Sequence, residues 1–414
     1  MLKRKNINNF YLSFLILVFF SLFLSPSSKF VYFEWNNIFS VNKIFFNFYI
    51  YLSIFFLPYS FLDKFDDYFE KKLKIIFYIL IFYGFFKILP DIIKTSNYTS
   101  IFGNPYFGPM FFVPIYLLWG TQLNAIYWFN RISLISIKIG LFLIPISIIF
   151  SIPLPTTAFL PSYYLLSIFD YVNTKKKLLI ILGIIAGLIC FYLSGYRSGV
   201  TMIILSILIF FTNRLNNKKF NKLVLYIFFI IPVLIFLNQI SSDQSIFSII
   251  ANLFSTDTLW SVDTRSFMTK EVILDLNSNN KILFGKGSLA TYYSNFFDNM
   301  QHYLPYKFQG EQSLRAQIEI GFLHYLVKAG LFYIFLIFLI TFMISVKCLS
   351  HSKNNLLRYL SIYLGVYFMF SIIENPPIFN LKHISMWIIL AICGSKIFIN
   401  LDDSKIKNLI LEKN

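Results

Sequence analysis

Two charged residues four positions apart have the types and spacing for chemistry. Arg315 and Glu319 lie just before a long apolar run, and on a helix they would be one turn apart and face the same way. An arginine in that place can bind a diphosphate through paired hydrogen bonds, and a carboxylate can take a proton. We therefore treat both as candidate catalytic residues. The alternative is an i,i+4 ion pair that caps the following helix.

Arg197 is the third candidate catalytic residue. It lies in the segment 194–199, which has the sequence SGYRSG and separates two short apolar runs. A helix that starts near residue 178 would rise roughly 29 Å before it reaches Arg197, so this residue should lie at the outer membrane boundary. An arginine at that depth is costly without a partner. It either binds a substrate phosphate or extends to a lipid phosphate or a loop carboxylate.

A polar stretch, residues 241–317, interrupts the otherwise apolar chain and holds most of the other candidates. We expect substrate contacts from Arg197 and Arg315 and from these further residues: Arg265, Lys286, His302, Glu311 and Lys328. Lys286 lies between two glycines, where a tight turn is the alternative to a phosphate contact. His302 is equally compatible with an ordinary loop histidine. Lys328, inside the following apolar run, should face other helices or a cavity instead of lipid.

The composition places these residues in a membrane protein. The 414 residues are 57% hydrophobic and 13% charged, with a mean hydropathy of +0.67, which excludes an ordinary soluble domain. A helix needs about 20 apolar residues to cross a bilayer. The sequence predicts an all-α bundle of about 12 transmembrane helices in one integral membrane domain, residues 1–414, with an uncleaved N-terminal signal anchor. The predicted spans are 10–24, 38–57, 73–89, 107–119, 132–152, 157–169, 178–193, 200–212, 223–240, 318–346, 356–373 and 384–399.

The distribution of charge predicts which way the spans point. Lysines and arginines cluster in alternate short loops, which should be cytoplasmic. This places both termini in the cytoplasm and the 241–317 loop, between the ninth and tenth spans, outside. Residues 241–319 hold six basic and eight acidic side chains, so the net charge of +17 resides elsewhere. The excess faces anionic lipid, and we expect no nucleic-acid partner. No nucleotide, zinc or paired-cysteine motif is present, and we expect no metal or cofactor.

The order of these motifs resembles a known family. The SGYRSG helix break, Arg265, the segment 283–287 (LFGKG), the segment 315–321 (RAQIEIG) and the segment 328–330 (KAG) are similar to the O-antigen polymerase and O-antigen ligase superfamily. The resemblance covers roughly residues 180–350. It implies transfer of a glycan from an undecaprenyl diphosphate carrier to an acceptor, outside the inner membrane, without metal or nucleotide. Arg197, Arg265 and Arg315 would then bind the diphosphate.

The resemblance favours a polymerase over a ligase. Ligases of this superfamily resemble one another in a His-Asn-x-x-Leu pattern before the re-entering span, and here that register holds Glu319. A polymerase would join lipid-linked repeat units into O-antigen or a related surface polysaccharide, at the periplasmic face, with membrane lipid and a chain-length regulator protein as further candidate partners. The alternatives are a ligase that transfers glycan to lipid A core, a lipid-linked oligosaccharide flippase, and a protein glycosyltransferase. The long outer loop counts against a flippase, and the absence of an acidic first outer loop counts against the last class.

Overall fold

The computed structural model describes residues 69–94, 107–121, 125–151, 154–215, 217–241, 264–295, 314–315, 318, 320–373 and 381–411. The predicted spans 10–24 and 38–57 lie outside the described residues. So do His302, Glu311 and Glu319.

The described part of the chain is mostly helical, as the composition predicts. Its α-helices are α1 Lys71–Lys94, α2 Leu117–Gly120, α3 Ala125–Ile149, α4 Ser162–Leu165, α5 Thr174–Leu193, α6 Arg197–Arg214, α7 Lys218–Ser241, α8 Thr264–Ser278, α9 Gly321–His351, α10 Asn355–Ile373, α11 Leu381–Gly394, α12 Lys396–Asn400 and α13 Asp403–Leu411. Two short strands, β1 Tyr292–Tyr293 and β2 Leu314–Arg315, form an antiparallel pair.

Several of the described helices are long and apolar enough to cross a membrane. They are Lys71–Lys94, Ala125–Ile149, Thr174–Leu193, Lys218–Asn238 and Gly321–His351. These confirm helices at the predicted spans 73–89, 132–152, 178–193 and 223–240. Large apolar side chains on these helices, such as Phe82, Phe142 and Leu234, are exposed, as expected for surfaces that face lipid. The chain is a multi-pass membrane protein, while the total of about twelve spans and the position of the long loop remain predictions.

Three predicted spans are each divided among several short helical elements. Residues 107–119 form the 3₁₀ turns Gly108–Phe111 and Val113–Tyr116 and then α2. Residues 157–169 are divided among the 3₁₀ turns Thr156–Phe159 and Leu166–Tyr171 and the short α4. Prolines interrupt both segments, and a proline lacks the amide proton that a helix interior requires. The span predicted at 384–399 ends at Gly394, and Ser395 then caps α12 by accepting a hydrogen bond from the Phe398 amide (3.3 Å).

Helix α10 is the centre of the bundle and contacts α6, α7, α9 and α11. Its tyrosines are buried among these neighbours. The Tyr359 hydroxyl donates to the carbonyl oxygens of Tyr163 and Ser206, at 3.1 Å each. Because a buried hydroxyl is costly without a partner, these bonds fix how α10 packs against α4 and α6.

Helix α9 is broken near its start. Gly330 has φ +82° and ψ 177°, which separates a half-helix, residues 321–329, from a longer segment, residues 331–351. The longer segment has enough residues to span a bilayer alone, at about 1.5 Å of rise per residue. The sequence predicts one continuous span at 318–346, and that prediction is wrong at this glycine.

The backbone groups freed by the break are bonded to the turn at residues 281–287. The amides of Leu331 and Phe332 donate to the carbonyl oxygens of Ile282 and Leu283, at 2.9 and 3.1 Å. In the opposite direction, the carbonyl oxygens of Val327 and Lys328 accept from the amides of Lys286 and Gly287, at 2.8 and 3.1 Å. The Tyr83 hydroxyl donates to the carbonyl oxygen of Ala329 (2.6 Å). The turn therefore satisfies the polar groups that the break exposes.

A second apolar cluster holds the loop helix α8 against the half-helix. Met268, Val272 and Leu276 on α8 are buried with Leu323 and Val327 on the half-helix. Tyr292 of β1 belongs to the same cluster. The Ser294 hydroxyl also donates to a carboxylate oxygen of Glu271 on α8 (2.6 Å). The described part of the loop is thus a folded unit packed onto α9.

Gly330→Ala should destabilise the protein more than Gly195→Ala. Both glycines have positive φ, +82° and +68°, but a Cβ at Gly330 would overlap the carbonyl oxygen of Leu283, whereas Gly195 has open space around it. We expect a loss of about 1 kcal/mol for Gly195→Ala and about 3 kcal/mol or more for Gly330→Ala, whose backbone region is nearly restricted to glycine. Thermal unfolding of the purified protein in detergent measures both. Equal midpoints for the two variants would contradict the docking of the turn.

Candidate functional site

The half-helix carries a lysine in the protein interior. The Lys328 side chain is buried, as the sequence predicts. Its ammonium donates to the carbonyl oxygen of Ala290 and lies 4.4 Å from the centre of the Phe107 ring. Burying an ammonium is costly unless such groups surround it. Lys328 therefore ties the half-helix to the chain that follows the 281–287 turn.

Asp91 on α1 forms hydrogen bonds that hold the end of the 281–287 turn in place. Its carboxylate accepts from the Ser288 hydroxyl (2.6 Å) and from the Leu289 amide (3.1 Å). A Cβ at Gly287 would lie 3.1 Å from this carboxylate, and one at Gly285 would lie 2.6 Å from the Ala329 amide nitrogen. The tight turn predicted for these glycines is confirmed, with φ +67° and +116°. Glycine is needed here because two backbones and a carboxylate approach closely.

Lys286, predicted to contact substrate, forms an ion pair with Asp275 of α8. About one fifth of each side chain is exposed. The pair joins the turn to the loop helix, so Lys286 has a structural partner within the described loop. A contact with substrate remains a prediction for this residue.

Arg197 is the first residue of α6. Helix α5 ends at Leu193, and Gly195, with φ +68°, reverses the chain so that α6 can begin two residues later. The break between two helices at SGYRSG is as predicted, and the Arg197 side chain is exposed. The preceding residue, Tyr196, has its ring against Phe191 of α5.

Lys382 on helix α11 contacts Tyr196, the residue that precedes Arg197. The ammonium of Lys382 donates to the Tyr196 hydroxyl (3.1 Å) and lies 5.6 Å from the ring centres of Tyr163 and Tyr196. Lys382 and His383 occupy the first turn of α11, and both are buried. The start of α11 with Lys382 is therefore linked through side chains to the start of α6 with Arg197.

A cleft runs from His383 to the half-helix. Its cavity volume is about 30 Å³, part of it open to the outside. Aromatic and aliphatic side chains line it, with polar groups on Tyr325, Tyr367, Ser371 and His383. Tyr325 belongs to the half-helix, and the ring of Tyr367 meets the ring of His383 edge-on, with centres 5.7 Å apart. The lining therefore combines apolar surface with a few polar groups, which is the usual composition of ligand sites.

The structure corrects one prediction about the catalytic pair. Arg315 lies on β2, paired with Tyr292, and α9 begins only at Gly321. The prediction that Arg315 and Glu319 lie one turn apart on a helix is therefore wrong, because the backbone at Arg315 is extended and hydrogen-bonded to β1. Arg265 is the second residue of α8, which places it on the loop helix.

Sequence reasoning missed Lys382, His383 and Asp91. A Lys-His pair directly before an apolar run was the available signal for the α11 start. Asp91 gave no sequence signal, because its partners are almost 200 residues away in the chain.

Comparison with known proteins found a match to the part of the chain that contains the 281–287 turn and the break at Gly330. Residues 182–338 match the family model described as O-antigen ligase. This match supports a relation of the segment to the O-antigen ligase and polymerase superfamily. Neither the curated proteins nor the solved structures include a significant match. The matched segment holds Arg197, Arg265, Arg315 and Gly330, whereas Lys382 and Asp91 lie outside it.

The family match supports a general function. Proteins of this family are membrane enzymes of the glycosyltransferase type that act in the synthesis of surface glycans, and the match supports lipid-linked glycans as the class of substrate. The match does not separate polymerases from ligases.

Asp91→Asn should destabilise the protein more than Asp275→Asn. Asp91 accepts two hydrogen bonds from the turn and lies near enough to Lys328 to attract its ammonium. Loss of its charge should cost about 2 kcal/mol, because bonds to a charged group weaken and a buried cation loses a neighbour. The partly exposed pair of Asp275 should cost about 1 kcal/mol or less. Denaturant unfolding of both variants provides the comparison, and an equal loss would mean that Asp91 does not anchor the turn.

Proposed function

We propose that the protein polymerises lipid-linked oligosaccharide repeat units, carried on undecaprenyl diphosphate, into O-antigen or a related surface polysaccharide. The observation that carries this proposal is the docking of the 281–287 turn onto the break at Gly330, because both lie in the segment matched by the family model. This docking fixes the loop that carries Arg265 and Arg315 to the membrane helix α9. A loop held in this way can bring its arginines to a lipid carrier in the bilayer.

The proposed reaction requires arginine and carboxylate side chains, and the chain contains both among the candidate residues. The acceptor hydroxyl oxygen attacks the anomeric carbon of the donor glycan, the bond from that carbon to the diphosphate breaks, and the diphosphate leaves with the electron pair. Arg197, Arg265 and Arg315 would stabilise the negative charge on the departing diphosphate. Glu319 would take the proton from the acceptor hydroxyl. A single displacement of this kind inverts the anomeric carbon.

The remaining predicted residues would act on the glycan and the carrier. Lys286 lies in the docked turn, Lys328 lies on the half-helix beside it, and His302 and Glu311 belong to the same loop in the sequence. We place the reaction at the periplasmic face of the inner membrane, independent of metal and cofactor, with both termini in the cytoplasm. The substrates are two carrier-linked glycans, one as donor and one as acceptor. A chain-length regulator protein would be a further partner.

A ligase is the second candidate function. The observation in its favour is the description of the matched family model, O-antigen ligase. A ligase would use the same arginines on the same donor, but it would transfer the glycan to lipid A core. Glu319, in the register where ligases resemble one another in a histidine pattern, is the reason to prefer the polymerase.

Replacing the proposed catalytic residues should remove long glycan chains from cells. We expect Arg197→Ala, Arg315→Ala and Glu319→Ala each to lower polymer formation by about a hundredfold or more, because each removes charge stabilisation or proton transfer from the rate-limiting step. Gel electrophoresis of surface glycan reads the distribution of chain lengths, and immunoblotting reads the amount of protein in the membrane. Arg214→Ala is the matched control, since Arg214 lies at the other end of α6 in an exposed pair with Asp170.

The same experiment separates the candidate functions. A polymerase variant accumulates single carrier-linked units on the outer leaflet, and a ligase variant accumulates carrier-linked polymer that is not attached to lipid A core. Accumulation of single units on the inner leaflet would indicate a flippase. A normal ladder of chain lengths in Arg197→Ala, Arg315→Ala and Glu319→Ala alike would refute the proposal.

A further inference from the structure

Two helices that are linked by a side-chain hydrogen bond near their starts carry basic residues in their first turns. Arg197 is the first residue of α6, and Lys382 and His383 are the second and third residues of α11. The bond from Lys382 to the Tyr196 hydroxyl joins the two starts. The start of a helix carries unpaired amides and a partial positive charge, which favours acidic side chains and anions there. Basic residues at both starts therefore oppose the local stability of the helices and favour an anion.

Lys382 is fixed in place instead of extending to the surface. Its side chain is 6% exposed. The Tyr196 hydroxyl and the rings of Tyr163 and Tyr196 orient the ammonium. A buried lysine loses much of its hydration, so a fixed ammonium of this kind interacts strongly with an incoming anion.

Independent support comes from a buried hydroxyl in the adjoining cleft. Tyr367 on α10 is 4% exposed, and its hydroxyl has no hydrogen-bond partner among the described residues. It lines the cleft together with His383, and Tyr196 lies within electrostatic reach of it. A buried hydroxyl without a partner is costly, so its retention in a polar corner of a cleft is explained if a ligand accepts its proton.

A second hydroxyl, at the start of α6, is also buried without a hydrogen-bond partner among the described residues. Ser198, the second residue of α6, is 6% exposed, and its hydroxyl also lacks a partner among the described residues. One unpartnered hydroxyl therefore follows Arg197 directly in α6, and the other belongs to a tyrosine whose ring contacts His383 of α11. Hydroxyl donors, helix amides and basic side chains are the groups that bind phosphate oxygens in proteins.

We propose that the first turns of α6 and α11 form a phosphate-binding site, made by Arg197, Lys382, His383 and the Tyr367 hydroxyl, for a phosphate of the carrier-linked glycan. The inference rests on the proposed function for the identity of this ligand. Lys382 lies outside the matched segment 182–338, so the family match assigns it no role.

Binding of farnesyl diphosphate, a short soluble polyprenyl diphosphate, to the full-length protein in detergent tests the site. Isothermal titration calorimetry gives the Kd for wild type and for Lys382→Met, Lys382→Arg, Tyr367→Phe and Lys396→Met. Lys396→Met is the matched control, since Lys396 is an exposed lysine just beyond the other end of α11. Inorganic diphosphate is titrated in parallel. Nanodiscs of phosphatidylglycerol test whether a phospholipid headgroup is the ligand instead.

Lys382→Met should weaken the Kd for farnesyl diphosphate by about tenfold, the expected effect of one charge-assisted contact. Lys382→Arg keeps the charge and should restore much of the binding. Tyr367→Phe should weaken binding by about threefold while leaving Tm unchanged or higher, because the hydroxyl has no partner to lose in the free protein. Lys396→Met should bind as wild type. Parallel weakening for inorganic diphosphate would support recognition of the phosphate itself.

Other results would refute the proposal of a phosphate-binding site. Wild-type Kd values in both Lys382→Met and Tyr367→Phe would do so, as would misfolding of both Lys382 variants together with unchanged binding by Tyr367→Phe. A change confined to phosphatidylglycerol nanodiscs would reassign the site to membrane lipid and refute the substrate role. The failures are distinguishable, since weakened binding by Lys382→Met beside a normal glycan ladder in the Arg197, Arg315 and Glu319 variants would refute the polymerase alone.

Discussion

The peptide groups at the break in α9 impose the constraint on which the arrangement of the site depends. A helix that crosses a membrane satisfies its own amides and carbonyls, and any group left unpaired away from water costs several kcal/mol. At Gly330 the helix does not satisfy all of its own amides and carbonyls. The amides of Leu331 and Phe332 and the carbonyls of Val327 and Lys328 are bonded to the 281–287 turn instead. The break can exist only because the turn lies there, and neither element is stable without the other.

This dependence joins the loop to the membrane part of the protein. The turn is held by Asp91 of α1 as well as by the half-helix, and α8 packs its apolar side onto the same half-helix. Arg315, through the pairing of β2 with β1, belongs to the same unit. The described loop residues are therefore positioned by membrane helices, and groups on the loop can act on a lipid-linked substrate with little freedom to move away.

The basic residues that surround the half-helix are arranged at a cost to stability. Lys328 is buried with a carbonyl and an aromatic ring, and Lys382 is buried with tyrosines at the start of a helix. A buried lysine carries a desolvation penalty, which makes both residues candidates for a role in binding. The match of residues 182–338 to the family model described as O-antigen ligase supports a lipid-linked glycan as the class of substrate.

The sequence alone determined the membrane class, the helices at 73–89, 132–152, 178–193 and 223–240, the turn at the paired glycines and the burial of Lys328. Each depends on local composition, because apolar length and glycine conformation are properties of a short stretch of chain. Only the tertiary structure decided the break at Gly330, since one glycine in an apolar run costs a helix about 1 kcal/mol and does not by itself interrupt it. The strand at Arg315 and the bond between Tyr196 and Lys382, 186 positions apart, are of the same kind. They depend on which distant backbone and side-chain groups remain to be satisfied after the helices pack, and the local sequence does not contain that information.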